Sequence, residues 1–100
     1  MNDFLANRAA KEMPTNYQWN KFIEEMAELT AAVYHFHQDK ISLGELEHEI
    51  ADVEVSLKII MELCRSDSLT ERIDTTWELV QKRLDTKERE GDLICPPKFL

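Results

Sequence analysis

Two apolar ladders joined by a short connector constrain this chain more than any other feature. Phe22, Met26, Leu29, Val33 and Phe36 recur at spacings of 4, 3, 4 and 3, and Leu46, Ile50, Val53, Leu57, Ile60 and Cys64 repeat the alternation. That period holds one stripe on one face of an α-helix and makes each ladder a heptad seam. Only Asp39 to Ser42 connect the ladders, so the two helices are expected to fold back as an antiparallel pair. Leu69, Ile73, Trp77, Val80 and Leu84 add a third stripe. The expected fold is all-α: an antiparallel helical bundle built on a central helix hairpin.

Helix starts are marked by Ser or Thr followed three residues later by Glu or Gln, the capping-box pattern that satisfies exposed N–H groups. Thr15 with Gln18, Ser42 with Glu45 and Ser68 with Glu71 fit it. These signals predict helices over about 15–38, 43–65 and 68–90, with a shorter one over about 2–11 that ends before Pro14. Gly91 is the expected stop, and Pro96 and Pro97 make 91–100 an extended tail. The expectation is one domain over 1–100. With 100 residues, 43% hydrophobic and 32% charged, the chain supports a modest core. Two Gly and three Pro argue against a turn-rich β fold. Self-association completes a core of this size, so a homodimer or homotetramer is expected.

Charge narrows the function. The formal net charge is −8, which disfavours binding to nucleic acid polymers or anionic membranes, since both need clustered Lys and Arg. Residues 24–62 hold ten acids against Lys40 and Lys58, and elsewhere ten acids balance ten bases. The whole excess therefore sits in the middle of the chain. Cys64 and Cys95 make no disulfide framework, which fits a reducing cytoplasmic setting. No apolar run reaches the ~20 residues of a membrane span, and the start MNDFLANRAA lacks an apolar signal core.

The acids are patterned. With Met26 and Ile50 at heptad position a, Glu25 and Glu49 occupy g, and Glu28 and Asp52 occupy c. Residues three apart lie about 60° apart around a helix, so each couple presents two carboxylates side by side. In an antiparallel pair the two g flanks face one groove. At ~1.5 Å rise per residue, Glu28 and Asp52 fall at nearly the same height, and all four acids fit within roughly 10 Å. Such a cluster repels itself or takes up protons unless a cation neutralises it. All-oxygen donors with no nearby Cys favour Mg²⁺ or Mn²⁺ over Zn²⁺.

The strings IEEMAEL (Ile23 to Leu29) and EIADVEVSL (Glu49 to Leu57) resemble the EExxE…ExxD signature of the MazG-like, all-α nucleoside triphosphate pyrophosphohydrolases. The resemblance covers about residues 17–65; the first and last thirds match weakly. It implies that Glu25, Glu28, Glu49 and Asp52 ligate Mg²⁺, with Glu24 assisting through water. It also implies hydrolysis of NTPs or dNTPs to monophosphate and pyrophosphate in a homo-oligomer. Glu25 or Glu28 would act as the base toward the attacking water. Lys21, one turn before Glu25, and Lys82 and Arg83 are the candidate phosphate contacts, followed by Lys87 and Arg89; the segment KRLDTKERE departs from the family's usual late Lys/Arg motif. For the base, Trp19 is the candidate stacking residue, and Asn16, Gln18 or Asn20 candidate edge readers. Glu45 and His48 form an ExxH, but a di-iron carboxylate site needs a second, which is absent. The alternative to an enzyme is a non-catalytic helical oligomerisation or partner-binding module with an acidic groove.

Overall fold

Four helices, and no strand, form in the described residues: α1 (Asn2–Glu12), α2 (Thr15–His37), α3 (Leu43–Cys64) and α4 (Asp67–Glu90). The computed structural model describes residues 2–90, with side chains to residue 87. The expectations about Gly91, Cys95, the extended 91–100 tail and the Arg89 side chain lie outside the described residues. The chain divides into two compact units at Arg65 and Ser66.

Local chemistry explains where the helices begin and end. Pro14 breaks the chain between α1 and α2 because the residue before a proline is driven out of the α region. Pro14 itself is the N-cap of α2, with no side-chain hydrogen bond, and Thr15 is already helical. The expected Thr15 cap is thereby corrected: proline pre-sets the entry to the helix and occupies the capping position. Ser42 does cap α3, its Oγ accepting from the Glu45 N–H at 3.1 Å. At α4 the cap moves two residues upstream, to Ser66, whose Oγ accepts from the Leu69 N–H at 3.2 Å. Ser68 lies inside the helix.

The turn between α2 and α3 is built by the backbone. Asp39 adopts a left-handed φ of 60°. Its N–H donates to the Phe36 carbonyl at 2.9 Å, and the Lys40 N–H donates to the His35 carbonyl, also at 2.9 Å. This double closure is the Schellman arrangement, and Asp is one of the few side chains that tolerates that backbone region.

In the first unit α2 and α1 both pack on α3. Asn7 Nδ2 donates to Glu62 Oε2 at 3.2 Å, tying α1 to the far end of α3. Buried apolar side chains are few and small to medium: Ala6, Ala32, Leu46 and Ile60. Gln18, Glu25 and Ser56 are buried among them.

The inward face is the predicted seam turned by about 40°: Phe22, Leu29 and Phe36 on α2 and Leu46, Val53 and Ile60 on α3 stay inside, and the other seam residues turn out. Met26 is 47% exposed and Ile50 48%, and Val33, Leu57 and Cys64 are exposed as well. The inward stripe runs through Gln18, Phe22, Glu25, Leu29, Ala32 and Phe36 on α2, and through Leu46, Glu49, Val53, Ser56 and Ile60 on α3. Small Ala32 and Ser56 let the backbones approach where larger apolar residues point away. Each helix thus carries two adjacent apolar stripes, of which one is used within the chain. The turn has the same sense about each helix's own axis, so in an antiparallel pair Met26, Val33, Ile50 and Leu57 share one outer face.

In the second unit the predicted stripe of α4 is mixed, with Leu69 and Val80 half-buried. Trp77 is 68% exposed, and Ile73 and Leu84 are exposed too.

Leu46→Ala should lower unfolding stability by about 2–5 kcal/mol, and Ser42→Ala by about 1 kcal/mol, both measurable by urea denaturation. A Leu46→Ala cost below that of the cap substitution would contradict the inward stripe described here.

Candidate metal centre

Glu25, Glu28, Glu49 and Asp52 each bring one carboxylate oxygen into a group whose members all lie within 4.8 Å of one another. The four residues expected to converge do so, and more tightly than heights along the helices alone required. Their placement is nevertheless different from a groove flank. Glu25 is only 5% exposed and sits in the inward stripe itself. Glu49 follows it on α3, half-buried, while Asp52 is half-buried and Glu28 exposed. The i,i+3 couples survive this turn of both helices because it moves all four acids together.

Two oxygens in this cluster, Glu25 Oε2 and Glu49 Oε2, are buried with no hydrogen-bond partner among the described residues. A buried carboxylate oxygen without a donor costs free energy unless a cation meets it. Donors around a Mg²⁺ ion stand about 3 Å apart when adjacent and about 4.2 Å when opposite at ~2.1 Å per bond, a scale that carboxylates this close together approach. The residues present therefore fit a hard divalent cation.

One protein cation already serves the cluster. Lys21 Nζ lies 2.8 Å from Glu25 Oε1 and 3.9 Å from a Glu24 oxygen. Glu24 stays outside the four-carboxylate group with an exposed side chain. The hydrogen bond to Glu25 holds the Lys21 ammonium above its ordinary pKa, with Glu24 acting in the same sense. Glu28 is held above the usual carboxylate range, chiefly by the negative charge of Glu25, with burial, Glu49 and Glu24 adding and Lys21 opposing. On α3, His48 Nε2 lies 3.4 Å from Asp52 Oδ2, and His48, Glu49 and Asp52 form a second group with metal-binding spacing. That i,i+4 couple was visible in the sequence once the search for a second ExxH was set aside.

Beside the carboxylates opens a cavity of about 360 Å³, reaching from Lys21, Glu25 and Asp52 to Met13, Tyr17, Val55 and Ile59. Gln18, one of the candidate edge readers, lines it; Trp19 does not. Tyr17 takes the position expected of Trp19: the two residues lie about 200° apart around α2, and Tyr17 shares the flank of Glu28 while Trp19 is on the opposite one. Asn16 and Asn20 are exposed. Tyr34 is exposed. Lys82 and Arg83 lie on α4, in the second unit, whereas every residue of the carboxylate group belongs to the first. Among the described residues no helix is long and apolar enough to cross a membrane. Comparison with family models, curated proteins and solved structures finds no match to this chain.

The raised Glu28 pKa has a definite sign for stability. The folded chain holds this proton more tightly than the unfolded chain, so the associated stability is complete below the ordinary glutamate range and is lost as pH rises through the folded value. In chelator at neutral pH, Glu28→Gln should therefore melt above the wild type, and the gap should close as the pH falls below the ordinary glutamate pKa. Lys21→Met should melt below the wild type under the same conditions, since it leaves Glu25 without its cation. Scanning calorimetry across pH checks both; a Glu28→Gln protein less stable than wild type at neutral pH would contradict the repulsion.

Proposed function

We propose that the chain is a cytoplasmic, Mg²⁺-dependent nucleotide pyrophosphohydrolase of the MazG-like kind, hydrolysing NTPs or dNTPs to the monophosphate and pyrophosphate. One observation carries this reading: two buried, partnerless carboxylate oxygens lie within a four-carboxylate cluster. A solvated acidic face leaves no oxygen in that condition. The resemblance of IEEMAEL and EIADVEVSL to the family's signature supplies the reaction.

Glu25, Glu28, Glu49 and Asp52 would hold Mg²⁺, or Mn²⁺ through the same oxygens. Bound there, the ion offsets charge on the phosphates and lowers the pKa of a nearby water. The remaining work falls to side chains. Glu28 is the exposed member of the four, at the open edge of the cluster, which suits it to accept the proton of the attacking water. Glu25 is the second candidate for that role, but its Oε1 is engaged by Lys21. Glu24, at the edge, orients water. Lys21 has its ammonium between the carboxylates and the cavity, within reach of a phosphate oxygen once Glu25 is otherwise neutralised.

The outer apolar face formed by Met26, Val33, Ile50 and Leu57 supports assembly into a homodimer or homotetramer, which would complete an antiparallel helical bundle. That face is equally suited to a non-catalytic oligomerisation module. The partnerless oxygens favour the enzyme.

The deciding experiment incubates the protein with NTPs and dNTPs plus Mg²⁺ and identifies the products. Wild type should yield monophosphate and pyrophosphate, while Glu28→Gln and Asp52→Asn remain folded and lose about a hundredfold or more of the rate. Release of inorganic phosphate, or undiminished turnover in the variants, would overturn the proposal.

A further inference from the structure

We infer that the cavity beside the carboxylates is a base pocket that prefers nucleobases with an exocyclic amino group, read by the side-chain carbonyl of Gln18. This deepens the nucleotide reading above and rests on it. At about 360 Å³ the cavity falls in the size range of small-molecule sites. Its charged end is the carboxylate cluster with Lys21, where phosphates would lie. Its other walls are apolar, with the Tyr17 ring available to pack against a flat heterocycle.

Gln18 and Ser56 are the polar groups set into this wall, and Gln18, the longer of the two, is only 2% exposed. Its Nε2 donates to the Ala9 carbonyl at 3.4 Å and to Met13 Sδ at 3.3 Å. A carboxamide nitrogen has two hydrogens, so both donors are committed to the end of α1. The Ala9 carbonyl can only accept. Flipping the amide would set two acceptors against each other, which fixes its orientation. What remains for an occupant of the cavity is Oε1, an acceptor. The amino group of cytosine or adenine donates to it, whereas the keto oxygen at the same place in uracil or hypoxanthine faces it acceptor to acceptor. A desolvated acceptor left unmet disfavours the keto base by about tenfold or more.

The test uses the intact wild-type protein in Mg²⁺ and calorimetric binding of α,β-methylene analogues of CTP, UTP, ATP and ITP, with inorganic tripolyphosphate as reference. The cytidine analogue should bind about tenfold or more tighter than the uridine analogue, and the adenosine analogue tighter than the inosine analogue, with tripolyphosphate weaker than either preferred ligand. Gln18→Met should equalise each pair, and Tyr17→Ala should weaken all four nucleotides without changing tripolyphosphate. The wild-type pairs decide the matter even if Gln18→Met does not fold. Equal affinities within the pairs, or a keto preference, while tripolyphosphate still binds, would show Gln18 to be only a clip between α1 and α2 and overturn this inference alone. Absence of Mg²⁺-dependent binding by nucleotides and tripolyphosphate alike would overturn the nucleotide reading and this one with it.

Discussion

A carboxylate buried in the seam between two helices is the constraint around which the first unit is organised. Glu25 occupies a position that an apolar residue would fill in an ordinary hairpin, and its charge cannot be desolvated without a counter-charge. Lys21, one turn away on the same helix, meets one of its oxygens at 2.8 Å. The other oxygen, like one of Glu49, is left without a partner. The apolar core that remains is small, and Gln18 and Ser56 interrupt it further. The fold thus gives up part of its packing to keep anionic groups in a partly dry environment, where a divalent cation interacts with them more strongly than at an open surface.

Much of this was legible in the sequence because it depends on short-range regularities. Helix periods, the proline break at Pro14 and the brief connector fixed four helices to within a residue or two. The convergence of Glu25, Glu28, Glu49 and Asp52 was legible as well, since i,i+3 couples on matched positions of an antiparallel pair meet whether or not both helices turn by about 40°. The seam was legible only in part: Phe22, Leu29, Phe36, Leu46, Val53 and Ile60 lie in it, whereas Met26, Val33, Ile50, Leu57 and Cys64 do not. Apolar residues on α2 and α3 serve two neighbouring stripes, and periodicity does not say which stripe faces the other helix and which faces outward. Capping boxes were ambiguous for a similar reason: Ser66 and Ser68 are both able to start α4, and only the backbone chooses. The cavity could not be read in advance, because it requires α1 to be placed against α3; that Tyr17 and not Trp19 shares the flank of Glu28 follows from helix geometry alone.

The same rotation separates the two faces of the α2–α3 pair. Relative to the inward stripe, Met26, Val33, Ile50 and Leu57 are advanced by about 100°, whereas Glu28 and Asp52 lie back by about 60°. Apolar association on one face would leave the carboxylates and the cavity accessible on the other, so that assembly and ligand entry would not compete for surface. This division also accounts for the charge distribution along the chain, in which acids crowd the segment that contributes apolar residues to both stripes.

The turn at Asp39 carries a kinetic implication. Twenty residues lie between Glu28 and Glu49, and the Schellman closure fixes the register of the strand of chain between them. A centre drawn from two adjacent helices across one tight turn has low contact order, so its halves meet during the earliest collapse of the chain. Folding therefore brings the four acids together before the rest of the core can compensate, and Lys21, already within the same helix, is the neutralising group at hand at that moment.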